Sequence, residues 1–373
     1  MSNMLLLNLF QIQHQDNEDF SKEIQEFVNL RKTAVCDART GFGTISCLKK
    51  YYCQLHFANN RFKCLQSMKK GPFDFPWLDL YDSSPVMFSR LGKSNRNFHP
   101  SIIFTKNLKF SHCSWFPDTE MAHVLYNIGC LNTIAGNVED RSDSESMKAA
   151  LNYYQSAAWA FHTLPDLHKF DEITDYNVDY VATLAQICLA QAQECILEKS
   201  ILDHKKASII TKVGAQVVEF YKAAMRKIES SHSNMRMVCS LDYLEDMLRF
   251  CNFKHKFYGC ISRFYMGISY EEDSKWGESV AYFQKSYQLL QSISGKKSST
   301  VFQILRFIFE KSIFFSDAGK HSNIFLTKDQ IKEITVFAHD IIKGKYDIAV
   351  RENEFIYHEK VPTELDELKG ELI

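Results

Sequence analysis

Cysteine, histidine and carboxylate side chains are where this chain's chemistry would have to lie, and their spacing supports little of it. Among 11 Cys there is no CxxC pair. The nearest Cys/His groupings, His112-Cys113 and His255 with Cys260, fall short of the four-ligand spacing of a closed metal site. A thiol phosphatase needs a Cys followed six positions later by an Arg that holds the phosphate. None of the 11 has one; Cys113 is followed by Thr119 and Cys195 by Ile201. GxGxxG and GxxxxGKS/T are absent, so nucleotide phosphates have no cradle, and GxSxG and HExxH are absent as well. Scattered Asp and Glu on a helical chain form a solvated face. The sequence therefore predicts no catalytic residue, no metal and no cofactor.

What stands out is apolar. Leu189–Lys227 reads LAQAQECILEKSILDHKKASIITKVGAQVVEFYKAAMRK. Ala190 and Ala192, with Gln191 and Gln193, make a thin helix that neighbours can approach closely. In the next helix Ile210, Val217 and Tyr221 share one stripe toward the core, while Ile209 and Val213, one turn apart, lie to its side. Ile196, on the preceding helix, is the residue available to join them across the hairpin. Two outcomes fit this spacing. The side residues pack on a neighbouring helix of the same domain, or they line a shallow groove for an amphipathic partner helix. Periodicity alone favours the first.

Helices must position these residues. Apolar spacings of three and four predict helices over 16–35 (Phe20, Ile24, Phe27, Val28, Val35), over 44–65, and from Asp118 through Met121, Val124, Leu125, Ile128, Leu131 and Ile134. Gly136-Asn137 is expected to end the last of these in a left-handed cap. Ser142 with Glu145 reads as a capping box opening a helix that carries Ala150, Tyr154, Ala157, Ala158, Phe161 and Leu164. Further helices are expected over about 178–201, 205–228, up to 270, 276–292 and 327–352. Between 66 and 117 the pattern is broken by Gly71-Pro72, Phe75-Pro76, Ser83-Ser84-Pro85, Gly92 and Pro100, so this stretch reads as an insertion or irregular loop. Met147–Phe161 and Trp276–Leu290 both pair small residues with aromatics, as the first helix of a tetratricopeptide hairpin does, but no 34-residue period connects them.

Composition narrows the function classes. With 373 residues, 45% hydrophobic, the chain can bury a sizeable core. Scarce Gly (14) and Pro (7) argue against an all-β fold. Lys+Arg (44) nearly cancel Asp+Glu (45), so no global field favours nucleic acid or an anionic membrane. The apolar run Met4–Phe10 is too short to span a bilayer and lacks the flanks of a signal peptide, which sets the expectation of a cytoplasmic protein with reduced thiols.

Four segments together resemble the Bro1 domain family: Val124–Ala135 (VLYNIGCLNTIA), Met147–Phe161, Leu189–Tyr221 and Glu352–Pro362 (ENEFIYHEKVP). The resemblance implies an all-α, elongated Bro1-type helical solenoid with tetratricopeptide-like hairpins and room for a small β-hairpin, as a single domain over 1–373. It implies a non-enzymatic adaptor that binds the C-terminal amphipathic helix of the ESCRT-III subunit CHMP4/Snf7 in endosomal sorting. Other ESCRT or endosomal proteins would be further partners, with membrane association indirect and localisation cytoplasmic with recruitment to endosomes. By position it places the patch on Ile209 and Val213, with Ile196 from the preceding helix and a rim of Lys148, Asn152 and Lys199. Val213 stands where the family carries a larger Leu or Ile, about one methylene less and so ~0.8 kcal/mol weaker. Tyr357 matches the tyrosine of the family's FIYH signature, a docking or phosphorylation position in some relatives, although burial of an aromatic near the domain end is the simpler expectation.

The resemblance starts only near Leu30–Val35, which leaves 1–35 atypical, and the stretches 66–117 and 306–328 are longer than the family's. Two rival functions remain open at this point. One is a tetratricopeptide-like scaffold for other short peptides; the other is the remnant of a phosphatase-family protein without its catalytic part.

Overall fold

A computed structural model describes residues 21–36, 42–61, 75–77, 112–114, 117–167, 177–236, 238–239, 241–294 and 328–371. Its helices are α1 (Ser21–Arg31), α2 (Phe42–Arg61), α3 (Pro117–Val138), α4 (Ser144–Leu167), α5 (Val178–Leu202), α6 (Ala207–Ser230), the short α7 (His232–Met235), α8 (Leu241–Glu272), α9 (Trp276–Ser294) and α10 (Lys328–Glu352). π-helical turns follow α1 (Lys32–Cys36) and α10 (Asn353–Tyr357). One small antiparallel pair, β1 (Phe75–Trp77) with β2 (His112–Ser114), sets Phe75 opposite Ser114 and Trp77 opposite His112. The fold is all-α, as the apolar periodicity and scarce Gly and Pro require. Most of 66–117, and all of 306–327, lie outside the described residues.

The chain divides into two compact units: Met1–Ala135 with Ser156–Ala185 and Ile313–His321, and Gly136–Gln155 with Gln186–Ser312 and Ser322–Ile373. In the first, Leu48, Tyr51 and Leu55 of α2 and Met121, Val124, Leu125 and Ile128 of α3 are buried, as are Phe161 and Leu164. Glu120 is fully buried there and accepts hydrogen bonds from Arg31 Nε (2.8 Å) and Tyr51 OH (2.9 Å), so its charge is met by a cation and a donor. In the second, α8 packs along both α6 and α9, and α9 also packs on α10.

Two local expectations are corrected. Helix α3 runs through Gly136 to Val138, and no described glycine has a positive φ, so Gly136 is not a left-handed cap. Its missing side chain serves packing instead: a Cβ there would stand 2.9 Å from the Tyr154 ring. The cap of α4 is Asp143, not Ser142. Asp143 Oδ1 accepts from the amides of Glu145 (2.8 Å) and Ser146 (2.9 Å), while Ser142 Oγ turns back to Asp140. The hydrogen bonds from Ser146 and Glu145 hold the Asp143 carboxyl below the usual carboxylate range. Its contribution is therefore present above the ordinary carboxylate pKa and is lost as pH falls through the depressed value. Asp143→Ala should lower the melting temperature at neutral pH and flatten part of the acid-side fall in stability. Ser142→Ala should leave both unchanged, as paired thermal melts would show.

Candidate functional site

Helices α5 and α6 form an antiparallel hairpin. Tyr221 OH of α6 donates to Glu194 of α5, and Leu197 of α5 lies against Gly214 of α6, where a Cβ would stand 3.6 Å from its Cδ1 and collide with Ser262 Oγ of α8. The turn is closed without glycine. His204 takes the left-handed region (φ 49°), and the amides of Asp203, His204 and Lys205 return to the carbonyls of Lys199, Ile201 and Ser200. The core stripe falls where spacing places it, with Ile210, Val217 and Tyr221 all buried.

Beside that stripe the two patch residues part company. Ile209 is half-buried, as is Ile196 across the hairpin, so each offers apolar surface. Val213 has 0% exposure. At 100° per residue it sits between Ile209 and the core stripe, close enough to the stripe to be drawn into the core. In this conformation Val213 therefore offers a partner no exposed surface of its own.

The residues expected at the rim are partly engaged. Lys199 Nζ donates to Ser144 Oγ (2.8 Å) and Asp203 Oδ2 (3.0 Å). Lys148 is exposed and held by Glu145 at 2.6 Å. The hydrogen bond to Glu145 raises its pKa most, and the charge of Asp203, which Lys199 contacts, adds to the rise. Asn152 is exposed one turn beyond Lys148. Tyr357 belongs to a different place. Its ring stacks on Trp276 (centroids 3.9 Å, 5° apart), and Asn353 braces the turn by donating to Glu359 O (2.9 Å) and accepting from Glu359 N (3.0 Å).

A sequence model of the BRO1-like domain family matches residues 6–371. The chain belongs to that family. The match extends beyond the motif-bearing segments at both ends and takes in residues 66–117. The mouse tyrosine-protein phosphatase non-receptor type 23 is 29% identical over 354 residues, covering 94% of this chain and 17% of the phosphatase. The vacuolar protein-sorting protein bro1 of Emericella nidulans is 25% identical, covering 94% of this chain and 30% of that protein. The chain thus spans less than a third of the length of either relative. Among solved structures, an ALIX BRO1 CHMP4C complex superposes with a TM-score of 0.75 at 20% identity, over 100% of this chain and 90% of that one.

Within this BRO1-like domain, sequence reasoning missed the ionic node that holds the hairpin to its surroundings. Glu194, 1% exposed, meets Lys254 Nζ of α8 at 3.0 Å and Arg141 Nη1 at 3.6 Å, besides accepting from Tyr221; Arg141 also reaches Glu198 at 3.2 Å. Burial pushes the Glu198 carboxyl up against the pull of Arg141. The only signal was that Glu194 is the one charged residue in the run 187–197. Also missed was the segment after Pro362, which crosses the second unit and ends on α6 at Lys212 and Gln216.

The thiols of this unit are placed for packing. Burial raises Cys195 to about 12 and Cys239 and Cys260 each to about 11, the opposite of a thiolate nucleophile's environment. Among the described residues no group of three or more His, Cys, Asp or Glu is placed to hold a metal ion, and no helix is long and apolar enough to cross a membrane.

Proposed function

We propose that this BRO1-like domain is a non-enzymatic adaptor module of endosomal sorting. It seats the C-terminal amphipathic helix of an ESCRT-III subunit of the CHMP4/Snf7 kind on the α5–α6 hairpin. In this reading it acts in the cytoplasm and reaches endosomes through its partners. The observation that carries the reading is that Ile196 of α5 and Ile209 of α6, on adjacent antiparallel helices, are both half-buried; in this reading Lys148, Asn152 and Lys199 form the rim. Family membership supports it, as does the fold shared with an ALIX domain whose complex contains CHMP4C. Apolar anchors give a partner helix its affinity, and rim cations give it orientation against acidic residues.

Affinity of about micromolar, near −8 kcal/mol, is expected for one short helix in a groove. The test is a titration of a fluorescent peptide from the CHMP4C C-terminal helix, with circular dichroism on every chain. Ile209→Asp should weaken binding at least ~10-fold while the domain stays folded, because the new charge stands under the partner without a counter-ion. Val213→Asp, by contrast, should unfold or strongly destabilise the second unit. No binding by the folded native chain would end the proposal and favour a scaffold for other short peptides. Unfolding by Ile209→Asp would assign that residue to the core.

A further inference from the structure

The segment 363–371 has the sequence TELDELKGE, with four acidic residues and leucines at 365 and 368. It is not helical, yet it is anchored at successive points on two helices. The carbonyl of Asp366 accepts from Tyr282 OH of α9 at 3.4 Å. Gly370 then lies flat on α6: a Cβ at that position would stand 2.7 Å from Gln216 Cα and 2.8 Å from Gln216 N. Finally the amide of Glu371 donates to Lys212 O (3.3 Å), and its carboxylate meets Lys212 Nζ at 2.7 Å.

These last contacts fall beside the candidate patch. On α6, Lys212 and Gln216 occupy the arc next to Ile209, within about 60° of it at 100° per residue. The segment passes Gln216 before Lys212, so it runs along α6 toward the end that carries Ile209. Its chemistry, acidic groups interspersed with leucine, is what a groove of isoleucines rimmed by lysines would select in a partner helix.

We infer that residues 363–371 form a strap that holds the edge of the α6 face against which the amphipathic helix docks, so that strap and partner exclude one another. The inference rests on the partner reading above and adds its regulation. Affinity is then set by how firmly the strap is seated. The strap's weak point is Gly370, the one residue whose lack of a side chain lets the backbone lie on α6.

Two chains, native and Gly370→Val, are compared by titration with the CHMP4C helix peptide and by the rate of trypsin cleavage after Lys369. The valine cannot fit against Gln216, so Gly370→Val should bind the peptide about 10-fold more tightly and be cleaved faster. Saturating peptide should also speed cleavage of the native chain. Glu371→Lys should move both readouts the same way, by about threefold, the scale an exposed ion pair sets; adding Lys212→Glu should restore the native values. Faster cleavage of Gly370→Val with unchanged peptide affinity would overturn the strap as a competitor and leave the partner reading standing. Absence of binding by both chains would overturn both.

Discussion

Replacing Glu194 with Ala is expected to lower the unfolding free energy by about 3 kcal/mol, the cost of breaking a buried pair from one side. The carboxylate is 1% exposed and is shared by Lys254, Arg141 and the Tyr221 hydroxyl. Removing it leaves the Tyr221 hydroxyl, on a fully buried residue, without this acceptor and Lys254 without its counter-ion. Arg141 keeps Glu198 at 3.2 Å, and Lys254 keeps the face of the Tyr258 ring at 5.3 Å, which is why the loss is not larger. Glu194→Gln should cost less, since an amide oxygen still accepts from Tyr221 and only the charge is lost. Urea titration of the three chains measures this. A loss below about 1 kcal/mol for Glu194→Ala would mean the node contributes little beyond what water would supply.

Gly267→Val should cost a similar ~3 kcal/mol for a different reason. Gly267 is buried in α8, and a Cβ built there would stand 2.6 Å from Cε1 and 2.7 Å from Cδ1 of Phe283. Phe283 is itself fully buried, packed against Phe264 at 5.6 Å between ring centroids, so the ring has nowhere to retreat. Overpacking of this kind forces off-rotamer side chains or a shift of the helix. The contrasting site is Gly344 in α10, exposed and with nothing within 4 Å of an added Cβ. There Gly344→Ala should stabilise by up to about 1 kcal/mol through helix propensity alone. Thermal or urea melts of the two variants beside the native chain would separate packing from propensity; equal effects would refute the close-packed α8–α9 contact.

Much of the helical architecture was legible because a helix that buries one face must repeat its apolar residues every three or four positions. Met121, Val124, Leu125 and Ile128 announce α3, and Ala150, Tyr154, Phe161 and Leu164 announce α4, without reference to any partner. Helix ends were read less well. Ser142 and Asp143 are both competent caps, and only the path of the chain decides which oxygen faces the free amides; Asp143 does. Gly136 matched an end signal, but it is a packing glycine, because the demand for it comes from the Tyr154 ring 18 residues away in sequence.

At the candidate site the division is similar. The sequence by itself determined that Ile210, Val217 and Tyr221 face the core and that Ile209 stands apart from them, since residue type and helical angle are local properties. Only the tertiary structure decided that Val213, spaced one turn from Ile209, is fully buried, because burial at the edge of a stripe depends on what packs alongside. The same holds for Glu194, whose charge is tolerated in an apolar helix only because Arg141 and Lys254 arrive from distant positions. It holds for the segment ending at Glu371 too, which local pattern marks as acidic and leucine-bearing and which meets Lys212, 159 residues earlier, only once the chain has folded. Periodicity encodes which face of a helix is apolar; the neighbours that cover that face, and the charges that meet there, are settled by contacts between residues far apart in the chain.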